Sequence, residues 1–330
     1  MSPIPHLPSD EEITAAVKKH QEEQSRLPNI NERPLTRRLP LIQDGRPAAW
    51  LKYGCQISDL AAEADTQEFI YDSIAQQPYL RDRIRVPEVY LFIDGRDLEV
   101  PEFLGVIVIE YISGLTITEA LKGNADEEKK IRVWDRAVKA LDALTEIRPE
   151  PDQRPGFVGG RRIEHPLFSR FREYETGRAP EAFESVEEIQ TYINKEVNSL
   201  NGPDTPNLQE KDLILCHCYP FPSNFIIPSN DDTSPVCVID FEHCMWLPVS
   251  FMGWAFIMEN GLKFINYIEQ NLEVLKTPQY KGNIKTLDFF WEMRAPKRRF
   301  FPRKRKLSSL SSETARDSED KDNARGKFNN

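Results

Sequence analysis

The chain has 330 residues, 39% hydrophobic and 10% aromatic, enough for one large domain or two smaller ones with a sizeable core. Its 43 Lys and Arg stand against 53 Asp and Glu, a formal net charge of −10 that argues against general affinity for nucleic acid. No apolar stretch is long enough to cross a bilayer, and the opening MSPIPHLPSDEE has no apolar signal core, so a cytoplasmic protein is expected.

The predicted elements follow in chain order. SDEEITAAVKKHQEEQSRL predicts a polar surface helix, opened by Ser9 and Glu12 at capping-box spacing. Residues 27–47 are rich in proline and read as an arm with a short strand around Leu39–Ile42. AAWLKYG (48–54) predicts a strand. Residues 58–77 predict a helix, because Leu60, Ala61, Ala64, Ile70 and Ile74 fall near a 3.6-residue period. RVPEVYLFIDG (85–95) predicts one strand and GVIVIEYISG (105–114) an apolar one. Strand, helix, strand, strand with short links defines a small α+β lobe.

Beyond Gly114 the pattern turns helical. Residues 126–147 predict an amphipathic helix through Ile131, Trp134, Val138, Leu141 and Leu144, and residues 185–200 another, with Ser185 and Glu188 as a second capping box. Three short runs, 213–216, 225–227 and 236–240, predict strands, the last two joined as a hairpin. Residues 253–275 predict one long helix. The segment from about 294 is rich in charge and serine and reads as a disordered tail. Its start, residues 294–306, carries eight Lys or Arg and no acid; it suits a solvated tail, a protein contact or nuclear entry. The five cysteines, Cys55, Cys216, Cys218, Cys237 and Cys244, form no Cys-x-x-Cys pair and read as reduced, buried thiols.

HCYPFPSN (217–224) begins with His217, ends with Asn224 and precedes the run Phe225-Ile226-Ile227. Together with other residues in order along the chain it suggests a chemistry. Lys52 lies in a strand and Glu63 on the following helix. VIVIEYISG offers the Glu110 C=O and Ile112 N–H to a planar base, and Asp240 ends the strand VCVID. Moving phosphate from ATP needs such a set: a lysine on the phosphates, a carboxylate fixing it, a hinge for adenine, and oxygen ligands for Mg²⁺. Taken singly, each residue has a plainer reading. Lys52 is a solvated lysine, Glu63 an exposed helical glutamate, His217 a structural histidine and Asn224 a turn cap.

The ordered set resembles the aminoglycoside-phosphotransferase and choline-kinase-related family, and RVPEVY, IEYISG and VIDFEHCMWLPVSF are similar to its fungal branch. The resemblance covers about residues 45–260. It implies an α+β, two-lobed protein-kinase-like fold: an N-terminal helix and arm (1–34), a small lobe (35–112), a helical lobe carrying the loop and hairpin (113–293), and the tail (294–330). It also implies ATP and Mg²⁺ as cofactors and a small-molecule hydroxyl as acceptor, with no membrane and no nucleic acid involved. Lys52, Glu63, Glu110 and Ile112 would hold nucleotide, Asn224 and Asp240 metal, and His217 would organise the loop.

The sequence departs from the family pattern at three places. Tyr219 stands where members carry the Asp that receives the acceptor's proton; a phenol has an ordinary pKa near ~10 and is a poor base at pH 7. No Gly-x-Gly-x-x-Gly loop precedes Lys52. About fifty residues of fold remain after Asp240. A non-catalytic descendant using the old cleft is the alternative. A protein-kinase activity is a third, weaker reading, since the metal-Asp phrase is DFE, not DFG. Glu242, two positions after Asp240, shares its side if the chain leaves the strand extended; an ion pair with an arginine is the expected role.

Overall fold

The computed structural model describes residues 7–25, 36–54, 57–94, 105–123, 126–169, 177–202, 207–208, 213–228, 233–259 and 262–294. The basic tail, Cys55 and the arm before residue 36 lie outside these.

The smaller lobe is a four-stranded antiparallel sheet with a helix on each face. Helix α1 (Asp10–Ser25) is opened by the Ser9–Glu12 capping box: the Ser9 N–H donates to Glu12 Oε2 at 2.9 Å and the Glu12 N–H to Ser9 Oγ at 3.3 Å. Strands β1 (Thr36–Gln43) and β2 (Arg46–Gly54) form a hairpin. Its two-residue turn, Asp44-Gly45, has φ of 51° and 75°, the pair of positive values a tight right-twisted hairpin requires. Helix α2 (Ile57–Gln76) and the short α3 (Pro78–Arg81) follow, then β3 (Ile84–Arg85), β4 (Val89–Asp94) and β5 (Gly105–Glu110). The sheet order is β1-β2-β5-β4. On one face Leu51, Tyr53, Val106 and Val108 meet Ile13 and Val17 of α1. On the other, Ile107 and Ile109 meet Leu60 and Ala64 of α2. Two covered faces explain why β5 is apolar without alternation. They also explain α1, whose apolar stripe is buried although most of its residues are polar.

The sequence predicted one strand over 85–95. Pro87 divides it: β3 leaves the small lobe and pairs in parallel with a strand of the large one.

The larger lobe begins with β6 (Gly114–Thr116) and α4 (Ile117–Ala120), the helix opened by a Thr116–Glu119 capping box. Helix α5 (Glu127–Glu146) is capped by Asp126, whose side chain accepts from the Lys129 N–H, and buries Val133, Ala137, Val138, Leu141 and Leu144. A short pair, β7 (Glu164–His165) and β8 (Gly177–Arg178), precedes α6 (Val186–Asn198), capped by Ser185. Strands β9 (Ile214–His217), β10 (Phe225–Pro228), β11 (Val236–Val238) and β12 (Cys244–Leu247) carry the chemistry-bearing loops. β10 and β11 form the expected hairpin inside a sheet of order β3-β11-β10-β6, and β12 pairs with β9.

The helix predicted over 253–275 is two helices, α7 (Val249–Met258) and α8 (Lys263–Asn271), with Asn-Gly between them in the sequence. Residues 249–256 of α7 are all buried, which makes it the central post of the lobe. The chain then forms α9 (Pro278–Arg294). Its stripe of Tyr280, Asn283, Thr286, Leu287, Phe290 and Trp291 is buried against the lobe. Two of these residues are polar, so the stripe was hard to read. Asn283 is satisfied by the Asn207 backbone at 2.7 and 2.8 Å and by Ser250 Oγ at 2.9 Å. No helix among the described residues is long and apolar enough to cross a membrane.

Candidate active site

Lys52 lies on β2 at the face covered by α2, opposite Ile107 of β5. Its ammonium is 4% exposed as a residue and meets three carboxylates: Glu63 Oε2 at 2.5 Å, Asp240 Oδ1 at 2.9 Å and Glu242 Oε2 at 3.3 Å. An ammonium has three donors, so Lys52 is saturated within the protein. Burial and the neighbouring carboxylates Asp240 and Glu242 raise the Glu63 carboxyl, against the pull of Lys52. Lys52 itself is raised, because three carboxylates outweigh the cost of burial. Asp240 is held far below the usual carboxylate range: its burial is outweighed by Lys52 and Arg38 together.

Arg38 was not anticipated. It stands on β1 directly opposite Lys52, so both side chains share the cleft face, and its Nη2 donates to Asp240 Oδ2 at 2.6 Å. Asp240 adopts a left-handed backbone (φ 69°, ψ 68°), which asparagine and aspartate tolerate better than most residues. That turn is followed by a 3₁₀ turn, Phe241–His243, which brings Glu242 to the same side as Asp240. The arginine pairing expected of Glu242 is not what forms. Its partners are Lys52 and, at 3.9 Å, His243 Nε2.

The HCYPFPSN loop lies beside this cluster. β12 pairs with β9 so that Cys244 faces His217, and the Cys218 N–H donates to the His243 carbonyl at 3.0 Å. His217 is 1% exposed, its ring 5.8 Å from Phe241 and 6.5 Å from Phe225; burial lowers its pKa to about 4. It is a neutral wedge under the loop. The Tyr219 ring lies 4.3 Å from the His243 ring and 5.9 Å from Phe221. Burial raises the phenol further above its ordinary value, so it stays protonated at neutral pH. Asn224 staples the loop: its Nδ2 donates to the Tyr219 carbonyl at 3.0 Å, and its Oδ1 accepts from Ser223 Oγ at 3.4 Å. Its main-chain oxygen accepts from the Ile239 N–H at 2.9 Å, which fixes it next to Asp240.

At the hinge, Glu110 spends its side chain on Arg85 at 2.6 Å. The Ile112 N–H has no backbone partner among the described residues. The Ile112 side chain joins Ile226, Cys237 and Ile239 in a buried apolar cluster. Cys216, Cys218, Cys237 and Cys244 are free and buried, as expected.

The resemblance implies Mg²⁺ on Asn224 and Asp240, but the Asn224 Oδ1 accepts from Ser223 Oγ and its Nδ2 donates to the Tyr219 carbonyl. Glu63, Asp240 and Glu242 place carboxylate oxygens within 4.8 Å of one another, a spacing a divalent ion could use. The Lys52 ammonium already bonds all three, and Arg38 takes the other oxygen of Asp240. A divalent cation would have to displace one cation and be repelled by the other. The arrangement does not fit it.

The phosphotransferase enzyme family profile matches residues 55–251. The chain belongs to that family. No curated protein matches it. Among solved structures, aminoglycoside phosphotransferase APH(4)-Ia is similar at 15% identity and a TM-score of 0.47, over 83% of this chain and 88% of that one. APH(3'')-Id from Streptomyces rimosus, in complex with ADP and streptomycin, is similar at 14% identity and a TM-score of 0.42, over 74% and 87%.

Proposed function

We propose that this protein takes a nucleoside phosphate into the cleft between its lobes and transfers phosphate poorly or not at all. Membership of the phosphotransferase family and the Ile112 N–H, which has no backbone partner among the described residues, support the binding half. One observation carries the other half. At the loop position between His217 and Asn224 where transfer needs a carboxylate, the Tyr219 ring packs tilted against His243, 4.3 Å between centroids, with its phenol held protonated by burial. A positioned base contributes roughly 10²–10⁴ in rate, and this chain lacks one at that place.

A second reading, residual transfer to a small-molecule hydroxyl with Glu242 as base, is favoured by the position of that carboxylate, whose side chain is 38% exposed beside Asp240. Turnover of wild type, Tyr219→Asp, Tyr219→Phe and Glu242→Gln with ATP and a panel of small alcohols separates the two. We expect a wild type near background and a gain of roughly 10²–10⁴ in Tyr219→Asp. A wild type with ordinary turnover that Glu242→Gln abolishes establishes the second reading; one that Tyr219→Phe abolishes makes the phenol a participant and overturns the first.

A further inference from the structure

In the cluster described above, the lysine expected to grip phosphate has nothing left to grip with. Its three N–H groups go to Glu63, Asp240 and Glu242. Arg38 differs in each respect that matters. Its side chain is 43% exposed, whereas that of Lys52 is 6% exposed. Among the described residues its one ion pair is Nη2 to Asp240 Oδ2. A guanidinium carries five donors in a planar fork that matches phosphate oxygens two at a time. Asp240 fixes one corner of that fork from the larger lobe, and the side chain stays 43% exposed. The same ion pair occupies the Asp240 oxygen that would otherwise be open to a divalent ion.

We propose that Arg38 is the phosphate-receiving cation of this cleft, and that a nucleoside polyphosphate binds here without a divalent cation. The proposal rests on the nucleotide-binding reading above and adds which residue meets the phosphates and what is not needed. Lys52 then serves as the internal counter-ion that holds Glu63, Asp240 and Glu242 together.

The test is calorimetric titration of ATP into wild type, Arg38→Met, Arg38→Lys and, as a remote control, Arg132→Met, each in Mg²⁺ and in EDTA. We expect wild type and Arg132→Met to bind with similar affinity in both buffers, within about threefold. Loss of charge-assisted bonds should weaken Arg38→Met by about tenfold or more in EDTA. Arg38→Lys keeps the charge but not the fork and should fall between; it serves alone if Arg38→Met does not fold. Wild-type binding that collapses in EDTA overturns the proposal and leaves the nucleotide reading standing. So does an Arg38→Met that binds like wild type, or one that gains Mg²⁺-dependent binding the wild type lacks, since Arg38 would then be a plug. Absence of binding in every protein and buffer overturns both readings.

Discussion

His165 and His217 show how burial writes a pH dependence into single residues. Both rings are enclosed, His165 against Phe251 and Trp254 at 5.2 and 5.8 Å, and burial lowers their pKa values to about 3 and about 4 from 6.5. Below pH 6.5 the unfolded chain takes up a proton that the folded chain refuses, so stability falls as pH falls through that window. Each such histidine contributes a slope of about 1.4 kcal/mol per pH unit. Glu63 acts in the opposite sense: its raised carboxyl favours the folded state as pH falls. It is common to both proteins in a comparison of wild type with His165→Phe and cancels there. Urea unfolding between pH 6 and pH 4 should show the wild-type stability falling more steeply than that of His165→Phe, by about 1.4 kcal/mol per pH unit. Parallel curves would mean that His165 is protonated in the fold. At the same scale, the meeting of Lys52, Glu63 and Asp240 was readable from their order along the chain, with the His217–Asn224 loop beside them. Asn224 is the exception in orientation, because its amide staples the loop to the Tyr219 carbonyl.

The elements explain why Arg38 was not readable. With a two-residue turn at Asp44-Gly45, an unbroken ladder pairs Gln43 with Arg46 and would put Arg38 opposite Leu51, facing α1. A register shift between Leu41 and Ile42 adds one residue on β2, and Arg38 lands opposite Lys52 instead. A one-residue slip exchanges the two faces of a strand, so this irregularity alone moves an arginine from the α1 face into the cleft. Periodicity cannot see it. Glu242 was placed on the correct side for a different reason than expected: a left-handed Asp240 and a 3₁₀ turn, not an extended strand, aim it. The helices α7 and α9 were half legible. α7 is buried on all sides and gives no stripe, and it packs so tightly on α9 that a Cβ at Gly253 would fall on the Tyr280 ring. Gly253→Ala should therefore destabilise the protein by about 1–3 kcal/mol from overpacking, although alanine is better in a helix by about 1 kcal/mol. Combining it with Tyr280→Leu should recover part of the loss. A thermally stabilised Gly253→Ala would show that this contact has room to yield.

At the scale of the whole molecule, α2 is the part both lobes share. It gives Leu60 and Ala64 to the sheet of the smaller lobe, and Ala62, Ile70 and Ile74 to the core of the larger. Phe69 meets Trp246 at 5.8 Å, Asp65 pairs with Arg161 at 2.9 Å, and Asp59 with Arg178 at 3.2 Å. Exposed pairs of this kind are worth little singly; the buried face of α2 supplies the grip. Glu63 is thus carried on a helix held from both sides, and the Lys52–Asp240 and Arg38–Asp240 pairs close the cleft from its other wall. The two-lobed class was legible because apolar strands and amphipathic helices segregate along the chain. The linking role of α2 was not, since its burial on several sides blurs any single stripe. A cleft that binds nucleotide without using it is tested by titrating ATP into the wild type with a panel of small alcohols present while ADP formation is followed in the same sample. We expect saturable one-site binding with ADP formed at the rate of the protein-free control. ADP formation at the roughly 1–100 s⁻¹ of working kinases, or no binding at all, would contradict it.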